Sequence, residues 1–226
     1  MNILRLTLII LSSVVLSTLS ILVTPLNFYK GIGTYYVYRT FARTLLFISG
    51  VKLNVNSKTN IDKNKQYIVV SNHLSYLDIP VLMVALKSNI RFIYKKSLTN
   101  IPIFGWAMFL GGYVPIDRSN ARNAIESLKK AALRMKNGFS IAIFPEGTRS
   151  ITGITGEFKK GIFMLADFAE AEILPVSISG TNKVLPKDSF KITPGKVNVV
   201  INEPMTFKKD KDFLNEVRNK IVDNII

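Results

Sequence analysis

The chain contains no cysteine, which excludes a disulfide framework, a cysteine-rich zinc site and thiol catalysis. Histidine occurs once, at His73, and a single imidazole without thiolates argues against a catalytic zinc site. No G-x-S-x-G elbow is present, which argues against a serine hydrolase. Acidic residues are scarce: 15 Asp and Glu face 30 Lys and Arg, for a formal net charge of +15. Such an excess calls for a polyanionic neighbour, whether nucleic acid, an anionic membrane surface or a phosphorylated substrate. Internal repeats and low-complexity linkers are also missing. What remains is ample for one sizeable domain, because 48% of the 226 residues are apolar.

Between Leu6 and Val23 no residue is charged. As a helix this run measures about 27 Å, close to the hydrocarbon thickness of a bilayer. A secretory signal is the rival reading, but no Ala-x-Ala-like cleavage site follows. Ser13, Ser17, Ser20 and Thr24 fall on one stripe, which suits close helix–helix contact. Thr24-Pro25 then leads into residues 28–50, rich in Phe and Tyr and carrying Arg39 and Arg43 one turn apart. Aromatic and basic residues together favour a membrane–water interface. The pattern predicts a helical hairpin over residues 4–49, within a division of the chain into a membrane-anchoring part (1–50) and a second unit (51–226). Hydropathy leaves open whether the hairpin spans the bilayer or enters one leaflet. The basic charge that follows places the second unit on the cytoplasmic side of the cell (inner) membrane.

From residue 51 onward, short β-branched runs alternate with helix-period stretches. Strands are predicted at 51–55, 67–71, 90–94, 113–116, 140–144, 173–179 and 196–201. Helices are predicted near 79–87, 103–110, 120–136, 158–169 and 210–224. Ser119-Asn120 reads as an N-cap and Asn137-Gly138 as a helix stop. Alternation of this kind implies an α/β fold, a mostly parallel sheet flanked by helices, with functional residues in loops beyond the strand ends.

Three polar clusters occupy such loops. The first, Ser71-Asn72-His73-Leu74-Ser75-Tyr76-Leu77-Asp78-Ile79-Pro80, holds the sole histidine. Pro80 belongs in a first helical turn, so the helix should begin near Asp78 or Ile79 and leave His73 in the loop before it. A carboxylate on one ring nitrogen fixes the tautomer and frees the other to take a proton. On spacing alone, an unrelated loop histidine and helix-start aspartate read equally well. The second cluster, Gly111 to Ser119, places Arg118 between a strand and a helix N-terminus, a position suited to phosphate. In isolation a surface ion pair with Asp117 is the stronger reading. The third, Phe144-Pro145-Glu146-Gly147-Thr148-Arg149-Ser150, joins a carboxylate, a close-approach glycine and a guanidinium at a strand exit.

In this order, Asn72-His73-x4-Asp78, Val114-Pro115-Ile116-Asp117-Arg118, Phe144-to-Ser150 and Ile173-Leu174-Pro175-Val176 resemble the four blocks of the glycerolipid acyltransferase family. The resemblance covers roughly residues 50–205 and is nearest to the bacterial 1-acylglycerol-3-phosphate acyltransferases. It implies that His73 deprotonates the sn-2 hydroxyl of lysophosphatidic acid, which attacks an acyl thioester of coenzyme A or acyl carrier protein, while Asp78 orients His73. Arg118 and Arg149 are implied to hold the acceptor phosphate, with Glu146 and Gly147 shaping that site. Lys95 is implied as a further phosphate contact, with Lys96 its competitor, and Pro175 and Val176 as structural residues lining the acyl or substrate pocket.

Chemistry agrees: a thioester is already activated, so neither a metal nor another cofactor is expected, only a base, orientation and an oxyanion donor. The stretch Ile101 to Leu110 reads either as a wall for the acyl chain or as ordinary core or membrane-facing helix. Two rivals remain: the same machinery acting on glycerol-3-phosphate or another lysophospholipid, and a non-catalytic basic module on membranes or nucleic acid. No nucleic-acid motif supports the latter, so nucleic acid is not an expected partner.

Overall fold

The computed structural model describes residues 2–26, 32–62, 64–210 and 212–225. The connection expected to turn the N-terminal hairpin, residues 27–31, lies outside the described residues. On either side of it are α1 (Asn2–Val23) and α2 (Ile32–Ile48). The serine stripe of α1 faces inward, with Ser17 and Ser20 buried and the Ser20 hydroxyl donating to the Tyr38 hydroxyl of α2 at 2.9 Å. Leu4, Leu8, Leu11, Val15, Leu19 and Leu22 stay exposed on the other side of α1. On α2 the buried residues Tyr38, Ala42 and Leu46 recur every fourth position, one helix face. That face joins the main core, so α2 packs onto the sheet unit.

Seven strands form one sheet: β1 (Val51–Ser57), β2 (Ile68–Ser71), β3 (Ile90–Lys95), β4 (Val114–Ile116), β5 (Ser140–Ile143), β6 (Ile173–Ser179) and β7 (Gly195–Ile201). Their order is β1-β7-β6-β2-β5-β3-β4. From β6 through β4 all neighbours run parallel, while β7 is antiparallel to β6 and carries β1 with it. The sheet is therefore mixed, with a parallel block holding the carboxyl ends of β2, β3, β4 and β5 at one edge. Central strand β2 is buried on both sides, its alternate residues pointing to opposite faces. Val69 meets α2 and α3 (Asp78–Ala85), whereas Ile68 and Val70 meet α5 (Ala121–Lys136), α6 (Gly161–Ala169) and α8 (Phe213–Val222).

Helix ends follow local chemistry. The Asn120 side chain accepts from the Asn123 amide at 2.8 Å, capping α5, and Gly138 at φ +89° ends it. Helix α4 (Phe104–Leu110) buries Gly105 and Ala107 and exposes Trp106, Phe109 and Leu110, one stripe at i, i+3 and i+4. Its Ala107 carbonyl accepts from the Tyr38 hydroxyl at 2.8 Å.

Arg91, at the start of β3, is buried with no carboxylate beside it among the described residues. It donates to the carbonyls of Gly111 (2.5 Å) and Ile90 (3.0 Å), to Asn89 Oδ1 (2.7 Å) and to the Thr34 hydroxyl of α2 (3.2 Å). The rings of Phe139, Tyr38 and Tyr113 surround the guanidinium carbon at 4.5, 5.3 and 5.4 Å. Burial lowers the proton affinity of this guanidinium and pushes the Tyr113 phenol up.

Candidate active site

β2 ends at Ser71, and the next side chain prolongs its pairing. Asn72, fully buried, donates from Nδ2 to the Ile178 carbonyl (2.8 Å) and accepts from the Ile178 amide (2.9 Å), imitating a strand residue while its own backbone turns away. His73 comes next in a loop held on both sides. Its amide donates to Glu146 Oε1 and its carbonyl accepts from the Ser150 amide, each at 2.8 Å. The imidazole lies on the Phe144 ring, centroids 4.0 Å apart and planes 12° from parallel.

Asp78 opens α3, as Pro80 predicts, and the loop folds back onto it. Its Oδ2 lies 2.8 Å from His73 Nδ1 and also accepts from the amides of Leu74 (2.6 Å) and Ser75 (2.8 Å). Oδ1 accepts from the Thr181 hydroxyl at 2.6 Å. The carboxylate is wholly buried and the imidazole 16% exposed, so four donors replace the water that Asp78 has lost. With Nδ1–H directed at the carboxylate, Nε2 is the nitrogen left to accept a proton. Nε2 makes no hydrogen bond among the described residues.

In the third block, Glu146 is fully engaged. Oε1 binds the His73 amide and Oε2 the Gly156 amide at 2.8 Å. Glu146 therefore braces the histidine loop next to Gly147. A carboxylate whose lone pairs are taken by backbone N–H groups holds a loop well and repels an anion. Arg218 of α8 supports the same chain, donating to the carbonyls of Gly156 (2.9 Å) and Thr155 (2.6 Å). Gly147 sits at φ +73°, and its carbonyl accepts from Arg118 Nη1 at 2.9 Å. A Cβ here would stand 2.9 Å from Lys159 Nζ and 3.5 Å from Arg118 Nη1, so two cations converge where only glycine leaves room.

The Arg149 guanidinium lies 3.8 Å above the Tyr76 ring, three residues after His73, and also reaches Asp188 at 3.5 Å. Lys96 pairs with Asp117 at 2.8 Å, and with the Ser119 contacts this holds the Asp117 carboxyl well below the usual carboxylate range. The pairing open to Arg118 in the sequence is thus taken by Lys96. Lys95, at the end of β3, has no ion pair among the described residues and borders a cleft of about 310 Å³ shared with Ser97, Arg118 and Ser119. A larger cavity, about 640 Å³, opens at the opposite end of the sheet beside Lys65, Lys136 and Glu172.

One region therefore gathers His73, Asp78, Glu146, Gly147, Arg118 and Arg149, with Lys95 across the cleft. Pro175 and Val176 lie buried within β6, paired with Val70 and Ser71 of β2. Sequence reasoning missed Thr181, Lys159, Arg218 and the bracing amide of Asn72. Only Gly180-Thr181, at a strand exit, carried a readable signal.

The Acyltransferase family model matches residues 52–179, more than half of the chain. The chain belongs to the acyltransferase family. Among curated acyltransferases, the chloroplastic 1-acyl-sn-glycerol-3-phosphate acyltransferase of Arabidopsis thaliana is 38% identical over 176 residues, 77% of this chain and 49% of that protein. The 1-acyl-sn-glycerol-3-phosphate acyltransferase of Saccharomyces cerevisiae is 34% identical across 83% of this chain and 64% of its own length. That of Borreliella burgdorferi is 31% identical across 69% and 62%. The chain spans about half the length of the matching acyltransferases of Arabidopsis thaliana, Brassica napus and Chlamydomonas reinhardtii. The crystal structure of the 1-acyl-sn-glycerophosphate acyltransferase PlsC of Thermotoga maritima superposes with a TM-score of 0.84 at 26% identity, covering 99% of this chain and 95% of that one.

Proposed function

We propose that this acyltransferase moves a fatty acyl group from an acyl thioester to the sn-2 hydroxyl of lysophosphatidic acid, forming phosphatidic acid. The observation that carries the reading is the buried His73–Asp78 pair, with Nε2 unbonded in the region that also gathers Arg118 and Arg149. The names of the relatives supply the acceptor. Nε2 takes the hydroxyl proton as the oxygen attacks the thioester carbonyl, Asp78 stabilises the imidazolium, and the proton passes to the departing thiolate as the tetrahedral intermediate collapses. Arg118, Arg149 and Lys95 hold the acceptor phosphate, and Gly147 leaves space for the approach. The donor is acyl-CoA or acyl carrier protein.

We further read α1 as a membrane anchor: among the described residues it is the one helix long and apolar enough to cross a bilayer, and its outward face is apolar. Together with α2 it holds the catalytic unit against the cytoplasmic side of an anionic membrane, where the lysophospholipid acceptor lies within reach of a soluble acyl thioester. The test is turnover by purified protein given lysophosphatidic acid with acyl-CoA, and separately with acyl carrier protein thioester. Phosphatidic acid must form with wild type and not with His73→Ala. Product from glycerol-3-phosphate alone would reassign the acceptor.

A further inference from the structure

Only one oxygen of Asp78 serves the histidine. Oδ2 faces His73 Nδ1 and the two loop amides, while Oδ1 receives a single donor, the Thr181 hydroxyl at 2.6 Å. Asp78 and Thr181 are both fully buried, so no water substitutes for that donor. The bond is short, charge-assisted and shielded from solvent, the conditions under which a hydrogen bond most affects the charge it touches. Its origin is local. Thr181 begins α7 (Thr181–Val184), directly after Gly180, whose φ is +93°. A side chain at Gly180 would collide with the Lys196 carbonyl oxygen of β7. Glycine there lets the chain reverse tightly off β6 and bring the next hydroxyl under a carboxylate 103 residues earlier.

We propose that Thr181 is a positioning residue for acyl transfer, setting the orientation and basicity of Asp78 and, through it, the tautomer and proton affinity of His73. The inference rests on the general-base reading of His73. A hydroxyl on Oδ1 draws carboxylate charge toward that oxygen and weakens the pull of Oδ2 on Nδ1–H. It also prevents the carboxyl group from rotating away from Nδ1. The other ionisable side chains at this cluster, Glu146 on the His73 amide and Arg149 over Tyr76, touch neither Asp78 oxygen.

Because His73 is the only histidine, its ring nitrogens can be followed in the whole protein by NMR of histidine-labelled enzyme, with or without turnover. Thr181→Val keeps the volume and removes the donor; Thr181→Ser keeps the donor. The His73 titration midpoint should move to higher pH in Thr181→Val and return to the wild-type position in Thr181→Ser. In parallel kcat should fall on the order of tenfold with both KM values unchanged. If the valine protein does not fold, Thr181→Ala makes the same test. A midpoint that stays or falls in a folded donor-less variant, or an unchanged kcat, overturns the assignment. So does a result in which serine alone folds, since the hydroxyl would then be a structural bond. Failure of the general-base reading is separate: it would appear as turnover by His73→Ala.

Discussion

Removing the imidazole with His73→Ala should abolish acyl transfer yet leave the protein folded, since Asp78 keeps three of its four donors, the Leu74 and Ser75 amides and the Thr181 hydroxyl. Residual product above the uncatalysed rate would take the base away from this residue. Arg149→Ala should chiefly raise the acceptor KM, roughly tenfold to a hundredfold, because a charged hydrogen bond contributes about 1.5 to 3 kcal/mol. A change confined to the thioester KM would move Arg149 out of the phosphate site. The depressed carboxyl of Asp117 gives a pH statement of definite sign. The Lys96 pair holds at neutral pH and below the ordinary carboxylate range, and breaks only as pH falls through the lowered folded value. At this scale Pro80 marked the helix start at Asp78 and left His73 in the loop before it, while their pairing was open on spacing and implied only by the family resemblance. The bracing contacts of Glu146 were not legible because its partners are backbone amides, at His73 and Gly156, which composition does not announce. Thr181 and Arg218 act on residues 103 and 62 positions away, beyond the reach of local spacing.

Elements carry the next level of control. The His73 loop is tied to α8 through Glu146, Gly156 and Arg218, so a surface arginine on the last helix bears on the candidate base. Glu146→Gln keeps one accepting oxygen but sets an NH₂ against a backbone N–H. It should lower kcat and loosen the loop, seen as faster hydrogen exchange at the His73 amide. Arg218→Ala should do the same more weakly, without shifting either KM; an acceptor KM that rises instead would place Arg218 in substrate binding. Every strand was legible as a β-branched run, and the long helices were legible from their period. Strand order was not. β2 sits between β5 and β6, partners separated from it by long stretches of chain, and the reversal of β7 leaves no mark in its own composition. The four-residue α7 is too short to show a helical period.

For the molecule as a whole, a net charge of +15 and the outward apolar face of α1 predict salt-sensitive binding to anionic vesicles. The lone tryptophan offers a reporter, since Trp106 is 52% exposed on α4, which packs against α1. Its emission should shift to the blue when vesicles bind, and an unchanged spectrum in cosedimented protein would leave that face of α4 in water. The cradle around Arg91 has a practical consequence for anyone wishing to shorten the protein. Thr34 and Tyr38, two of its walls, come from α2, and Ala42 and Leu46 close the core beside them. Clipping the first fifty residues to obtain a more soluble version would take one hydrogen-bond acceptor and one of three rings from a buried guanidinium and bare the greasy side of α3. Leaving a buried charged donor unsatisfied costs about 1 to 3 kcal/mol or more, and the uncovered core adds to that, against an ordinary domain's stability of about 5 to 15 kcal/mol. The leading helices are therefore no detachable tether, and a trimmed product should be recovered as aggregate.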